Sequence, residues 1–205
     1  MTSELPSGSK KQVALILAIP VLVIAVSSVM FLLAQKRVLD FGTVNRSSLI
    51  QPPVQLSELT PTRVDGSEYL FDTAESRWVF MVVGGRECQG ACERMLYLTR
   101  QTHVALGKKT DRVERVYLAT EGPLSPQLRD FIEQEHSDIT VVNVDGSRFL
   151  RAFSALPTSP LDKHSFYVVD PLGWVMMVYR AEDTTTETLT TLGKDVLKDM
   201  RRLLK

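Results

Sequence analysis

The sequence predicts an α/β domain, a mixed β-sheet flanked by helices, carried behind one transmembrane helix. Three observations predict it. An uncharged apolar run lies near the N-terminus, and strand-like and helix-like segments alternate after residue 51. The third is that the only two cysteines, Cys88 and Cys92, fall between a strand and a helix.

The apolar run from Val13 to Ala34 holds 22 residues without a charge. As a helix it spans ~30 Å, the thickness of a bilayer's hydrocarbon core. Pro20 is tolerable there, because neighbouring groups satisfy the carbonyl it frees. No small-x-small cleavage site follows Leu32-Leu33-Ala34, so the run reads as an uncleaved anchor rather than a signal peptide. Lys10 and Lys11 precede it while Lys36, Arg37 and Arg46 follow, so charge alone does not orient it. The expected organisation is a short cytoplasmic tail (1–12), an anchor (13–34), a linker (35–50) and one folded domain (51–205).

A domain of that length buries enough surface to fold without disulfides or a structural metal. Lysine plus arginine and aspartate plus glutamate balance at 24 each, so no net charge points to nucleic acid. Two cysteines are too few for a disulfide-built scaffold.

Within the domain, Val64-Asp65-Gly66 suits the tip of a first hairpin. Trp78 to Val83 is an unbroken apolar run of strand formers stopped by Gly84-Gly85, which predicts a strand buried on both faces. The apolar spacing from about Gln89 to Leu106 predicts a helix. Val113–Ala119 predicts a strand, and Ser125-Pro126 an N-cap with proline in the first turn. Ile139–Val144 predicts a third strand and Arg148–Ala155 a short helix. Phe166–Asp170 and Trp174–Tyr179 flank Pro171-Leu172-Gly173 as a hairpin. Thr184 with Glu187 resembles a capping box for a last helix carrying Leu189, Leu192, Val196, Met200 and Leu203. Alternation of this kind defines a mixed sheet covered by helices.

The cysteines stand where open α/β sheets place their sites, at the end of a buried strand. Four residues apart at a helix start, they lie ~5–6 Å from one another, within adjustment of a disulfide. The helix N-terminus favours the thiolate, as do Arg86 and Arg94, while Glu87 and Glu93 oppose it. Two thiolates so placed bind a soft metal or exchange disulfides. His164, just before the last hairpin, is positioned to return to the same strand end. Two thiolates and an imidazole form a three-ligand set suited to Cu(I) and able to hold Cu(II), where zinc usually takes a fourth ligand.

The Cys-x-x-x-Cys after a buried strand, followed by His164-Ser-Phe-Tyr-Val-Val-Asp-Pro-Leu-Gly173, resembles the Sco/SenC family of copper-binding proteins. The resemblance covers roughly residues 50–205 and the anchor. It implies a thioredoxin-like fold, one copper ion per domain held by Cys88, Cys92 and His164, and a part in assembling the copper-A centre of cytochrome c oxidase. Implied partners are the oxidase subunit that carries this centre and other copper chaperones or thiol reductants, reached from a single-pass inner-membrane anchor. The folded domain then faces the periplasm, or the intermembrane space of a mitochondrion. Family members usually carry prolines in and after the cysteine motif; here Gln89, Gly90 and Ala91 fill it and Glu93 follows. Lys163 also separates Asp162 from His164, where the family has an adjacent Asp-His pair.

Two other functions use the same residues. A thiol-disulfide oxidoreductase needs Cys88 and Cys92 without His164, and an interaction module needs only the fold. A peroxidase is disfavoured because Gly84-Gly85 occupies the approach to the first cysteine, where a threonine or proline would shape the pocket. His103, three helical turns beyond Cys92, is too distant to share a metal and reads as a surface or half-buried side chain. His136, in Glu135-His136-Ser137, reads as solvated. Met176 and Met177 suit a hairpin's core or surface better than a copper site.

Overall fold

The computed structural model describes residues 7–35, 47–71, 73, 77–156 and 159–205. Most of the expected tail and linker, residues 1–6 and 36–46, lies outside them. The chain divides into two compact units, Met1–Val44 and Asn45–Lys205.

The first unit holds one helix, α1 (Ser7–Gln35), with Pro20 inside it. Its segment Gln12–Leu32 has a mean hydropathy of 2.8 and is long and apolar enough to cross a membrane. The side chains of that segment are exposed, as expected of a helix whose solvent is lipid.

The second unit is built on a seven-stranded sheet. Its strands are β1 (Ser48–Gln55), β2 (Thr62–Arg63), β3 (Trp78–Gly84), β4 (Val113–Ala119), β5 (Ile139–Asn143), β6 (Ser165–Val169) and β7 (Trp174–Arg180). Between and after them run α2 (Ala91–Ala105), α3 (Pro126–Glu135), α4 (Gly146–Ala152) and α5 (Thr186–Leu203). The strand order is β1-β7-β6-β3-β4-β5-β2. β3, β4 and β5 run parallel, joined through α2 and α3, and the other neighbours are antiparallel.

The apolar run in β3 is central for the reason its composition suggests: with β4 and β6 on either side, residues 79–83 are all buried. Alternate β3 residues serve two cores. Phe80 and Val82 join Met95, Leu96, Leu128, Phe166 and Val196 under α2, α3 and α5. Val79, Met81 and Val83 join Leu56, Tyr69, Phe149, Phe153 and Tyr167 on the other face, which α4 and the segment before β3 cover. Pro52 and Pro53 lie in edge strand β1, where a missing amide donor costs the ladder least.

Several boundaries differ from expectation. β1 begins at Ser48, inside the expected linker, and α4 spans Gly146–Ala152 rather than 148–155. Two helix starts differ for local reasons. Helix α2 begins at Ala91 because its N-cap, Gly90, holds φ +61°, a conformation that glycine adopts without strain. Helix α5 is capped by Thr185, not Thr184, its hydroxyl accepting from the Thr188 amide at 3.4 Å. Gly66, at φ +84°, turns the expected first hairpin, whose strand β2 pairs with β5.

Candidate functional site

The segment between β3 and α2 is tied down by the loop that follows β4. Gly84 accepts two bonds from Thr120, from its amide at 2.9 Å and its hydroxyl at 3.1 Å. Tyr117 donates its hydroxyl to Gly85 O at 2.9 Å, and Glu121 accepts from the Arg86 amide at 3.2 Å. Ser125, the N-cap of α3, donates its own amide to Arg86 O at 2.9 Å. The two glycines are required by these contacts. A Cβ at Gly84 would enter the Tyr117 hydroxyl, and one at Gly85 would enter the Glu121 carboxylate.

On this platform Cys88 and Cys92 form a disulfide, with Cα atoms 5.1 Å apart. Cys88 precedes the helix, while Cys92 lies in its first turn, where unpaired amides favour a negative charge on sulfur once the bond opens. Both are buried at 3% and 1% exposure, but they are not equivalent. Cys88 lines a groove of about 390 Å³ with Glu87, Gln89, Glu93, Ser125 and Phe131; Cys92 does not line it. Arg94 lines a separate groove on α2.

His164 stands at the same end of the sheet. β6 runs antiparallel to β3 with Tyr167 opposite Met81, so the start of β6 lies beside the end of β3 that leads to Cys88. Phe166 and Val168 share the core that contains both cysteines, and His164 sits in the turn just before β6, its carbonyl accepting from the Ala181 amide at 2.9 Å. Asp162 reaches across Lys163 to hold this histidine, accepting from its backbone amide at 3.0 Å and lying 3.3 Å from Nδ1. The other oxygen of Asp162 pairs with Arg180 Nε at 2.6 Å. The aspartate–histidine contact therefore survives the intervening lysine. The His164 side chain is 45% exposed. Among the described residues, however, no three His, Cys, Asp or Glu side chains are grouped to hold a metal ion. The structure thus joins Cys88 to Cys92 and brings His164 to their end of the sheet without assembling the three as ligands.

A family model described as a transmembrane-like, thioredoxin-like C-terminal domain matches residues 78–205. The chain belongs to this family. Its solved structural neighbours include Sco proteins. Apo Sco1 from Thermus thermophilus matches with a TM-score of 0.54 at 12% identity, covering 80% of this chain and 99% of that one. A SCO1/SenC family lipoprotein from Bacillus anthracis has a TM-score of 0.51 at 18% identity, covering 78% and 95%. Copper-bound yeast Sco1 has a TM-score of 0.51 at 13% identity, again covering 78% and 95%. These likenesses establish the Sco-type thioredoxin-like fold. No curated protein matches the chain by sequence.

The other histidines are placed differently. His103 is half-buried on α2, its Nε2 2.8 Å from Val113 O. His136 is not solvated but wholly buried, with ring centroids 4.9 Å from Tyr97 and 5.1 Å from Phe131. As C-cap of α3 it turns beneath α2, which its polar neighbours in sequence conceal. Burial, reinforced by Arg115 and Arg100, pushes its pKa down to about 4. Sequence reading also passed over Arg115, 1% exposed inside β4. Its guanidinium donates to both oxygens of Asp138 at 2.8 and 2.9 Å and to Leu96 O at 2.7 Å. The available signal was a cation on the strand's apolar parity, Val113–Arg115–Tyr117.

Proposed function

We propose that this chain is a membrane-anchored Sco-like protein whose Cys88–Cys92 pair is a working redox couple. In its dithiol state the pair holds one copper ion together with His164, for metallation of the copper-A centre of cytochrome c oxidase. The observation that carries this reading is the disulfide itself, fixed on the strand-end loop beside the start of β6. The donor chemistry fits the metal. Thiolates and a neutral imidazole are soft ligands for Cu(I), and Asp162 against Nδ1 leaves Nε2 as the coordinating nitrogen. The disulfide offers no thiolate, so reduction must come before binding and a thiol reductant is an implied partner. Residues 13–34 serve as the anchor. A disulfide is at home in an oxidising compartment, which supports placing the folded unit in the periplasm or the intermembrane space.

The test is copper stoichiometry and affinity for the reduced protein beside Cys88→Ser and His164→Ala. One tightly held copper, abolished by Cys88→Ser and much weakened by His164→Ala, is the expected result. Absence of binding by a readily reduced protein would overturn it. That outcome leaves the second reading, thiol-disulfide exchange on a partner's cysteines without copper. The formed disulfide, with no assembled ligand group among the described residues, favours that alternative.

A further inference from the structure

We propose that the groove beside Cys88 selects a cationic partner: a cysteine-bearing segment flanked by lysine or arginine. This rests on the reading of Cys88–Cys92 as a redox couple and adds the class of thiol that the couple accepts.

Three features of the groove converge. Its volume, about 390 Å³, admits a short segment of chain rather than a folded surface. Cys88 is the only one of the two cysteines in its wall, so a thiol entering there approaches Cys88 rather than Cys92. The charged side chains lining it are Glu87 and Glu93, one on each side of Cys88 in sequence, and no lysine or arginine lines it. Glu87 is exposed and takes only the Gln89 side-chain amide, at 3.2 Å. Neither carboxylate has a cationic partner among the described residues, so both charges act on whatever enters. The rest of the lining, Phe131 and Leu128 with Ser125 and Gln127, is neutral and gives a cation's hydrocarbon stem a surface to lie along.

The exchange is balanced as follows. A partner thiolate attacks Cys88 Sγ, forming a mixed disulfide as the Cys88–Cys92 bond breaks. Cys92 leaves as a thiolate in the first turn of α2. A second partner thiolate then attacks the partner's sulfur in the mixed disulfide. The partner disulfide forms, Cys88 is released as a thiolate, and the two cysteine sulfurs take up protons from water. Two electrons pass from two partner thiols to the protein. A thiolate alone is repelled by Glu87 and Glu93. A neighbouring ammonium or guanidinium reverses that, concentrating the partner at the sulfur.

The experiment opens the disulfide of the full-length protein, in a neutral detergent, with two thiols of similar size. Cysteamine carries a positive charge and 3-mercaptopropionate a negative one. Rates are followed by the appearance of protein thiols, in wild type, in Glu87→Gln and in Glu87→Gln/Glu93→Gln. Dividing each protein's cysteamine-to-mercaptopropionate ratio by that of the double variant cancels the thiols' intrinsic reactivities. Two carboxylates a side chain's length from the entering charge raise the wild-type ratio about tenfold at low salt. The single variant falls between, and the preference collapses near 1 M salt. Equal ratios in all three proteins, or a wild-type preference insensitive to salt, would overturn the inference. Failure of every thiol to open the bond in the folded protein would instead overturn the redox-couple reading beneath it. The salt series on wild type stands whether or not the variants fold.

Discussion

If Cys88–Cys92 is a working bond rather than a staple, opening it must leave the domain folded, and the magnitude follows from the loop it closes. The bond joins residues only four apart, so it removes little freedom from the unfolded chain. Loop-closure entropy for so short a ring amounts to about 2 kcal/mol at 25 °C. Both cysteines are already packed in the core beneath α2, and reduction keeps their atoms there. For a domain of this size each kcal/mol shifts the melting temperature by about 2–4 °C, so reduction lowers it by roughly 4–8 °C. The assay is thermal unfolding of residues 45–205, the unit that contains the whole sheet and both cores, with and without a strong reductant. Reduced wild type is preferable to serine variants, which would bury new hydroxyls. Loss of a cooperative transition on reduction, or a drop beyond about 20 °C, would refute the reasoning and make the bond structural.

Three further outcomes test the scaffold. Gly84→Ala drives a methyl into the Tyr117 hydroxyl and displaces its bond to Gly85, costing about 1–3 kcal/mol in denaturant titrations. It also loosens the Cys88 loop, which thiol-opening rates would register. Arg115→Met leaves the Leu96 carbonyl without its donor while the half-exposed Asp138 is resolvated, and the same titrations should show a loss of about 1–3 kcal/mol. His136 binds its proton less readily when folded, at about pH 4 against an unfolded value near 6.5. The stability from its neutral ring is therefore whole above pH 6.5 and lost as pH falls toward 4, by about 3 kcal/mol. Arg115 and Arg100 add to that shift and Asp138 opposes it. Stability of His136→Phe, measured from pH 7 to 4, should lack this fall.

What was legible in the sequence followed from local physics. The unbroken apolar run of β3 announced a central strand, Ser125-Pro126 announced α3, and Pro171-Leu172-Gly173 announced the turn between β6 and β7. The same locality explains what was missed. Arg115 sits on a core-facing parity, and its acceptor Asp138 lies 23 residues away across a parallel crossover. His136 has polar sequence neighbours, and only the packing of α2 against the end of α3 encloses it. At the site, the cysteine pair was legible because its spacing carries its chemistry. The clamp by Tyr117, Thr120 and Glu121 was not, because each comes from the far end of a neighbouring strand.

The departures from the Sco motif acquire physical meaning at two positions. Between the cysteines the chain must enter α2 through a residue at φ +61°, which Gly90 supplies. Proline, fixed near −65°, is incompatible with that backbone. Gly90 therefore suits this helix entry in a way that proline would not. Before β6, Lys163 breaks the adjacency of aspartate and histidine in sequence but not in space, since Asp162 still reaches both the amide and Nδ1 of His164. Its second oxygen is fixed by Arg180, so the aspartate is held from the far side while it orients the ring. The Asp162 contact occupies Nδ1 and leaves Nε2 as the nitrogen that the proposed copper site would use. The aspartate–histidine contact is thus present in a chain whose cysteines are oxidised. Among the described residues no three-ligand group is assembled, so the proposed copper site requires reduction of the disulfide to free its two thiolates.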